Sequence, residues 1–375
     1  MIDLQRLTVG VEEEYQIVDA QTGALRPRAE RVLERATPRL GDNVQPELNL
    51  SQVEIGTPIC ETLADVREAV LRSRREVDGA AREAGSRIVA LATHPFAEWI
   101  AQSTNPGDRY QHLEDVYQQL AREQLICGCH VHVSVPDPDL AVRVSTDIRP
   151  WLAPLLAITA NSPYWEGVDT GYASYRSQIF SRWPAVGTPP RLESRTEMDS
   201  LVEKLVRAGG VADATFLYWD VRPSQRYPTV EIRIADVCSL VDDVVLLAAL
   251  CRSLVRTHLR DLVDDARPVD RTPDEVHRVA RWRAARFGLD GDLVDPIEGD
   301  QRPAREVIGR LRAHVRADLE DAGELDLVDE LFDALLARGN GAARQRAALD
   351  RTGTLAGVVA SAADDTVRAI EAARH

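Results

Sequence analysis

The sequence predicts an α+β fold, an antiparallel sheet with helices packed on one of its faces. Three observations lead there. Strand-like runs crowd into the first two thirds of the chain and do not follow the βαβα order of a doubly wound parallel sheet. Four of those runs alternate polar and apolar residues, as half-buried strands do. After about residue 240 the pattern turns almost wholly helical, rich in Arg, Ala, Asp and Leu. The expected organisation is a single domain, with a mixed sheet and helix core over 1–240 and a helical part over 241–375 packed on it.

Strand candidates in order are LTVGVEEEYQIVD (7–19), ELNLSQVEIG (47–56), SRIVALAT (86–93) and ICGCHVHVSV (126–135). FLYWDVRP (216–223) and PTVEIRIAD (228–236) read as a hairpin. Helical periodicity runs through 62–85, where Leu63, Val66, Val70 and Val77 share a face, and through 109–124. The helical part is expected to break at Pro268, Gly288 to Gly291, Pro296 and Gly299 to Pro303. Residues 161–190 read as a long loop holding Tyr164, Trp165, Tyr172, Tyr175, Phe180 and Trp183, six of the chain's nineteen aromatics (6 Trp, 8 Tyr, 5 Phe). A loop of that length is functional or disordered, and its aromatics argue against disorder.

Side chains alternate faces along a strand. In CGCHVHVSV (127–135), Cys127, Cys129, Val131, Val133 and Val135 share one face and Gly128, His130, His132 and Ser134 the other. The cysteines and histidines therefore point apart and cannot surround one ion. In 8–17, Thr8, Gly10, Glu12, Glu14 and Gln16 oppose Val9, Val11, Glu13, Tyr15 and Ile17. In 228–236, Thr229, Glu231, Arg233 and Ala235 oppose Val230, Ile232 and Ile234. In 47–56 the alternation flips, and a β-bulge would return Glu47 and Glu54 to one side. A solvated sheet face accounts for such acids in the blandest way. Against it, Glu is a poor strand former, and several strands carry it at once. Carboxylates crowded together repel unless a cation sits among them, and oxygen-rich sets with an occasional histidine suit Mg²⁺ or Mn²⁺.

Composition sets limits. The 375 residues are 44% hydrophobic, enough for a large core. Forty-five basic against 60 acidic residues give a net charge of −15, which disfavours nucleic-acid binding. Lys204 is the sole lysine, and GxxxxGK[ST] is absent, so arginine and metal must handle any phosphate. Acids stand where a signal peptide would have its apolar run, and no segment is apolar enough to span a bilayer. Five scattered cysteines fit a reducing cytoplasm. Small-molecule partners and a possible homo-oligomer are expected, with no nucleic acid and no membrane.

Five stretches in order, GVEEEYQIVD, ELNLSQVEIGTP, CGCHVHVSVPD, NSPYWEGVDTGYASYRSQIFSRWP and TVEIRIADVCSLVDD, resemble the carboxylate–amine ligase family, also called glutamate–cysteine ligase type 2. The resemblance spans about 7–260. It implies the catalytic fold shared by glutamine synthetase and the guanidino kinases, a curved antiparallel sheet whose concave face holds metal ions and ATP. It also implies an ATP-dependent carbon–nitrogen ligase of the glutamate–cysteine ligase type, working through an acyl phosphate. The family's GxExE strand matches Gly10, Glu12 and Glu14. Its E-[FI]-x-T-P strand matches Glu54, Ile55, Thr57 and Pro58, with Glu47 upstream. Its histidine strand matches His130 and its ExR strand Glu231 and Arg233.

The resemblance implies metal ligation by Glu12, Glu14, Glu47, Glu54, His130 and Glu231, shared among more than one Mg²⁺ or Mn²⁺ ion. Arg233 would meet the transferring phosphoryl, with an ion pair to a neighbouring acid as the alternative. Arg176 and Arg182 are candidates for substrate carboxylates or phosphates, or for pairing with Glu166 or Asp169. His132 is a substrate contact or a hydrogen-bonded structural histidine. Trp165 and Tyr172 read as packing residues, and Asp236 as a cap for the helix that follows. Two other activities fit such a site: a metal-dependent hydrolase holding zinc on His130 and His132, and a phosphagen-type kinase.

Overall fold

The computed structural model describes residues 4–264, 270 and 272–372. Among these the main sheet has seven strands: β1 Val9–Asp19, β2 Val44–Pro46, β3 Gln52–Gly56, β4 Ser86–Val89, β5 Gly128–Ser134, β6 Val221–Pro223 and β7 Thr229–Asp236. Their order is β6-β7-β5-β1-β3-β2, and every pairing is antiparallel. β4 pairs with the far half of β1, taking over the side that β5 leaves. The two terminal strands carry Pro46 and Pro223, which lack the N–H an inner strand needs.

The alternation sorts as the sequence indicates. Val9, Val11, Cys129, Val131, Val133, Val230 and Ile232 are buried in one apolar cluster. Each such valine contributes about 1.5–3 kcal/mol relative to exposure. The helices that cover this face include α1 Leu63–Glu83 and α3 Val241–Val263, with Pro138–Asp147 and Arg149–Thr159 over its β6–β7 end. α1 opens on a capping box, with Thr62 Oγ1 accepting from the Asp65 N–H and Asp65 accepting from the Thr62 N–H. Leu63, Val66, Val70 and Val77 are its buried line, as expected. α3 is buried nearly all round because it lies between the sheet and the outer helices Ala304–Asp321 and Leu325–Arg338.

Several expectations are corrected. The flip in 47–56 is no bulge: Glu47–Ser51 is the connection of a hairpin in which β2 pairs β3, and it still turns Glu47 toward Glu54. The bulge lies in β7. There Ile232 faces Val131 but Ala235 faces Cys129, so one extra residue shifts the register. The shift sends Ala235 into the core and Asp236 to the polar side, reversing the alternation read for that strand. The helix expected over 109–124 splits into α2 Asp108–Tyr117 and a short turn Gln119–Arg122, because Gln118 has a positive φ of 49°. The breaks expected after 241 at Gly288 to Gly291 and Gly299 to Pro303 fall at a short hairpin, in which Asp292–Val294 pairs with Gln301–Pro303. Pro268 lies outside the described residues. The stretch 161–190 is packed on itself, with the rings of Trp165 and Tyr172 both tilted against that of Tyr175.

Candidate active site

The polar face of the sheet floors a cavity of about 820 Å³. β1 supplies Glu12 and Glu14, β3 Glu54, the β2–β3 connection Glu47, β5 His130 and His132, and β7 Glu231 and Arg233; all line it. Nine of the ten sequence-derived site residues therefore meet there, Arg176 included. Arg182 does not. It pairs with Glu123 outside the cavity lining, a correction whose cause is the short helix Arg176–Phe180, which turns the two arginines apart.

The carboxylates are placed by strand register. Glu14 and Glu54 are directly opposite on neighbouring strands, an arrangement that like charges destabilise. Burial pushes the Glu47 carboxyl up to about 8, aided by the charge of Glu14. Burial also raises Glu54 well above the usual carboxylate range, with Glu12, Glu47 and Glu14 adding to the rise. Burial works against ionised Glu12 too, but the two imidazoles beside it prevail and hold it well below that range.

His130 Nδ1 lies 3.0 Å from Glu12 Oε2, and its Nε2 lies 3.8 Å from Glu14 Oε1. Burial and the Arg233 charge keep this imidazole's pKa low. His132 Nδ1 is 2.9 Å from Thr229 Oγ1. That bond turns Nε2 into the cavity, where it stands 3.3 Å from Glu12 Oε1, out of line for a hydrogen bond and buried without one. Glu12, His132 and Glu231 each bring one ligand atom within 4.8 Å of the others. An orphaned imidazole nitrogen converging with two carboxylates, beside a second carboxylate group that repels itself, fits hard divalent cations. Among the described residues His130 stands outside that trio, so the two histidines do not share one zinc position with a glutamate.

Glu231 is pinned from both sides. Arg222 Nε donates to its Oε2 at 2.9 Å, and Arg233 pairs with Oε1. Burial alone would raise this carboxyl, but the guanidiniums hold it well below its ordinary value. Arg233 thus forms the ion pair expected as its alternative role, while its Nε stays buried without a partner. Arg176 lies over Gly128, where a Cβ would collide with Nη2. It is 3.7 Å from Asp236, not paired with Glu166 or Asp169; the latter holds Arg346. Asp236 is no helix cap. It accepts from Asn161 N–H, Ser162 Oγ and Ser174 Oγ, because the β7 bulge turns it toward the segment that carries Arg176.

Arg222, Arg109, Tyr110 and Tyr218 also line the cavity and were not picked out from the sequence. The signal for Arg222 was present: in the β6–β7 hairpin it is the cross-strand partner of Glu231. Arg109 and Tyr110 begin α2, and nothing local to that helix distinguishes them from surface residues.

The sequence profile of glutamate–cysteine ligase family 2 matches residues 8–364. A protein of Rhodopirellula baltica provisionally named glutamate–cysteine ligase 2 is 40% identical over 366 residues, 96% of this chain and 97% of that one. A relative of the same provisional name from Salinispora tropica is 43% identical over 352 residues, 94% of this chain and 92% of that one. Among solved structures, a bifunctional glutathione synthetase from Pasteurella multocida superposes with a TM-score of 0.67 at 17% identity, over 98% of this chain and 53% of that one. A glutamate–cysteine ligase from Francisella tularensis, solved with AMP, gives 0.64 at 12% identity, over 98% and 94%. These two structures share the fold.

Proposed function

The chain belongs to glutamate–cysteine ligase family 2, a family of ATP-dependent carbon–nitrogen ligases, and we propose that it joins the γ-carboxylate of glutamate, or of a close analogue, to the amine of an amino acid such as cysteine. The observation that carries this reading is one hollow lined by the carboxylates of Glu12, Glu14, Glu47, Glu54 and Glu231 and, beside them, by the guanidiniums of Arg176, Arg222 and Arg233. Metal–nucleotide and carboxylate substrates need those two charge types side by side.

A carboxylate resists amines because its oxygen is a poor leaving group. In the proposed reaction the donor's carboxylate oxygen attacks the γ-phosphorus of ATP, giving an acyl phosphate and ADP. The amine nitrogen then attacks the acyl carbon, inorganic phosphate departs, and the nitrogen loses its proton to solvent. Glu12, His132 and Glu231 would hold one divalent ion, and Glu14, Glu47 and Glu54 a second, with His130 fixing the Glu12 carboxylate. Bound Mg²⁺ or Mn²⁺ would neutralise phosphate charge. Arg233 orients Glu231 and offers its unpaired Nε to the transferring phosphoryl, and Arg176 stands at the same floor for a phosphate or carboxylate.

The test is phosphate release from ATP and Mg²⁺ across pairs of amino acids, with glutamate plus cysteine first. Release that needs both an acid and an amine supports the ligase. ADP formed without free phosphate marks a kinase, and stoichiometric zinc without nucleotide binding marks a hydrolase.

A further inference from the structure

Arg176 reaches the hollow from a support that lies wholly behind it. Both oxygens of Asp236 are taken there. Oδ2 accepts from the Asn161 N–H at 2.8 Å and from Ser162 Oγ at 2.7 Å. Oδ1 accepts from Ser174 Oγ at 2.9 Å and lies 3.7 Å from Arg176 Nη1. Ser162 Oγ also accepts the backbone N–H of Arg176 at 3.0 Å. The seat of Arg176 therefore depends on where residues 161 and 162 sit. All of these side chains are buried.

Asn161 is placed in turn by the helical C-terminal part. Its Nδ2 donates to the carbonyls of Ala90 at 2.9 Å and Val237 at 2.8 Å, just past the ends of β4 and β7. Its two oxygens, the carbonyl and Oδ1, both accept from Gln345 Nε2 at 2.8 Å. Gln345 belongs to the helix Gly341–Thr352, whose start is docked on the same spot. Asn340 Nδ2 donates to the Ala157 carbonyl and the Ala342 N–H to the Ala160 carbonyl, each at 2.9 Å. Gly341 lies so close that a Cβ there would stand 2.1 Å from Asn161 Oδ1. Gln345 spends its amide donors on Asn161 while its own Oε1 stays buried without a partner. Turning the amide round would set that oxygen against two others, so Asn161 dictates its orientation.

None of residues 340–345 lines the hollow. A buried network of this kind passes a displacement on, because each group that moves leaves another unpaired. We propose that Gln345 is a positioning residue for Arg176, acting through Asn161 and Asp236, and that the helical C-terminal part thereby sets the activity of a hollow it does not line. This rests on the ligase reading above, and the test separates the two.

Wild type, Gln345→Met, Arg176→Met and the double variant are compared in the phosphate-release assay, on the acid and amine that the wild type uses fastest. Gln345→Met should lower kcat/KM at least about fivefold, within the range for coupling inside one hydrogen-bonded network. In the Arg176→Met background the same change should cost less than about twofold. A role in helix packing alone would not pass through Arg176, and the two losses would then multiply. Losses that multiply, full activity in Gln345→Met or full activity in Arg176→Met each overturn the proposal. If wild type releases no phosphate with any pair, the ligase reading fails. Positioning is then read from a crystal structure of Gln345→Met, where the Arg176 guanidinium should have left its place beside Asp236. A guanidinium at its wild-type distance overturns the proposal. Should Gln345→Met not fold, Gln345→Ala, whose vacated space admits a water to Asn161, carries the same comparison.

Discussion

Glu13 and Arg74 form an ion pair sealed inside the protein: Arg74 Nη2 donates to Glu13 Oε1 at 2.5 Å, and neither side chain reaches solvent. Glu13 points away from the hollow that its neighbours Glu12 and Glu14 line, into the layer under α1. Arg74 Nε donates to Glu13 Oε2 at 3.2 Å, its other donors go to the carbonyls of Cys238, Ser239 and Thr366, and Tyr15 donates its hydroxyl to Glu13. The pair thus ties β1 to the chain leaving β7 and to the C-terminal helix.

Breaking this pair leaves a charge in an apolar layer. Arg74→Met should cost about 3–5 kcal/mol in urea unfolding, whereas Glu13→Leu/Arg74→Met should recover at least half of that. Equal losses in the single and double variants would show that the carbonyl contacts, not the charge, hold this layer together.

Glu231→Gln keeps the size of a group that two guanidiniums grip and that joins the Glu12–His132 trio. Its turnover in the phosphate-release assay should fall about 10²–10³-fold. Saturating Mg²⁺ or Mn²⁺ should raise the wild-type melting temperature, by about 2.7 kcal/mol of stability at a hundredfold excess over Kd, and chelator should reverse it. The variant should show a smaller cation shift and a lower baseline melting temperature, because Arg222 and Arg233 lose their shared acid. Unchanged turnover would remove Glu231 from the reaction.

Gly128→Ala tests the seat of Arg176. The added methyl meets the end of that side chain and, at 3.2 Å, His130 Nε2. Displacing this buried guanidinium takes the charge partner from the Asp236 carboxylate, so stability should fall by about 1–3 kcal/mol. The Arg176 head then leaves the floor, and kcat/KM should drop at least about tenfold. Full activity would mean that the position of Arg176 is immaterial.

Acid should loosen the fold through three imidazoles outside the hollow, His94 and His258 buried and His314 half-buried. Burial brings His94 to about 4, His258 to about 3 and His314 to about 4. His94 shows why: Nδ1 accepts from the Ala97 N–H at 3.0 Å and Nε2 meets the Gly23 carbonyl at 2.9 Å, which fixes the neutral ring. The unfolded chain takes up protons below about 6.5 while the folded one does not, so stability falls as pH drops from there toward 4. Between pH 7.5 and 5 the loss should be roughly 1–2 kcal/mol per ring, read from urea midpoints. His94→Gln should flatten the slope; an unchanged slope would assign it to other groups.

Much of this was written in two-residue periodicity. Alternation alone put Glu12, Glu14, His130, His132 and Glu231 on polar faces and marked Glu13 as the acid on the wrong side. Alternation breaks down where the backbone departs from a regular ladder. The Glu47–Ser51 connection resembled a strand with a bulge, and the bulge in β7 left no mark in a run of strand formers. Arg182 leaves the hollow because it follows the five-residue helix that Arg176 begins, and Arg109 and Tyr110 were missed because only long-range contacts, with Thr215 and with Pro46 of β2, bring the start of α2 to the hollow. Long-range placement of this kind is not encoded in local pattern.

The slipped register of β7 gives strand length a chemical meaning. Glu231 precedes the slip and Asp236 follows it. Pairing β7 with β5 in unbroken register, with no change of sequence, would leave every acidic and basic residue of the hollow in the chain and make the ladder more regular. The Asp236 carboxylate would nevertheless be turned into the apolar layer, and Arg176 would lose its anchor. Residue identity alone does not distinguish the two registers.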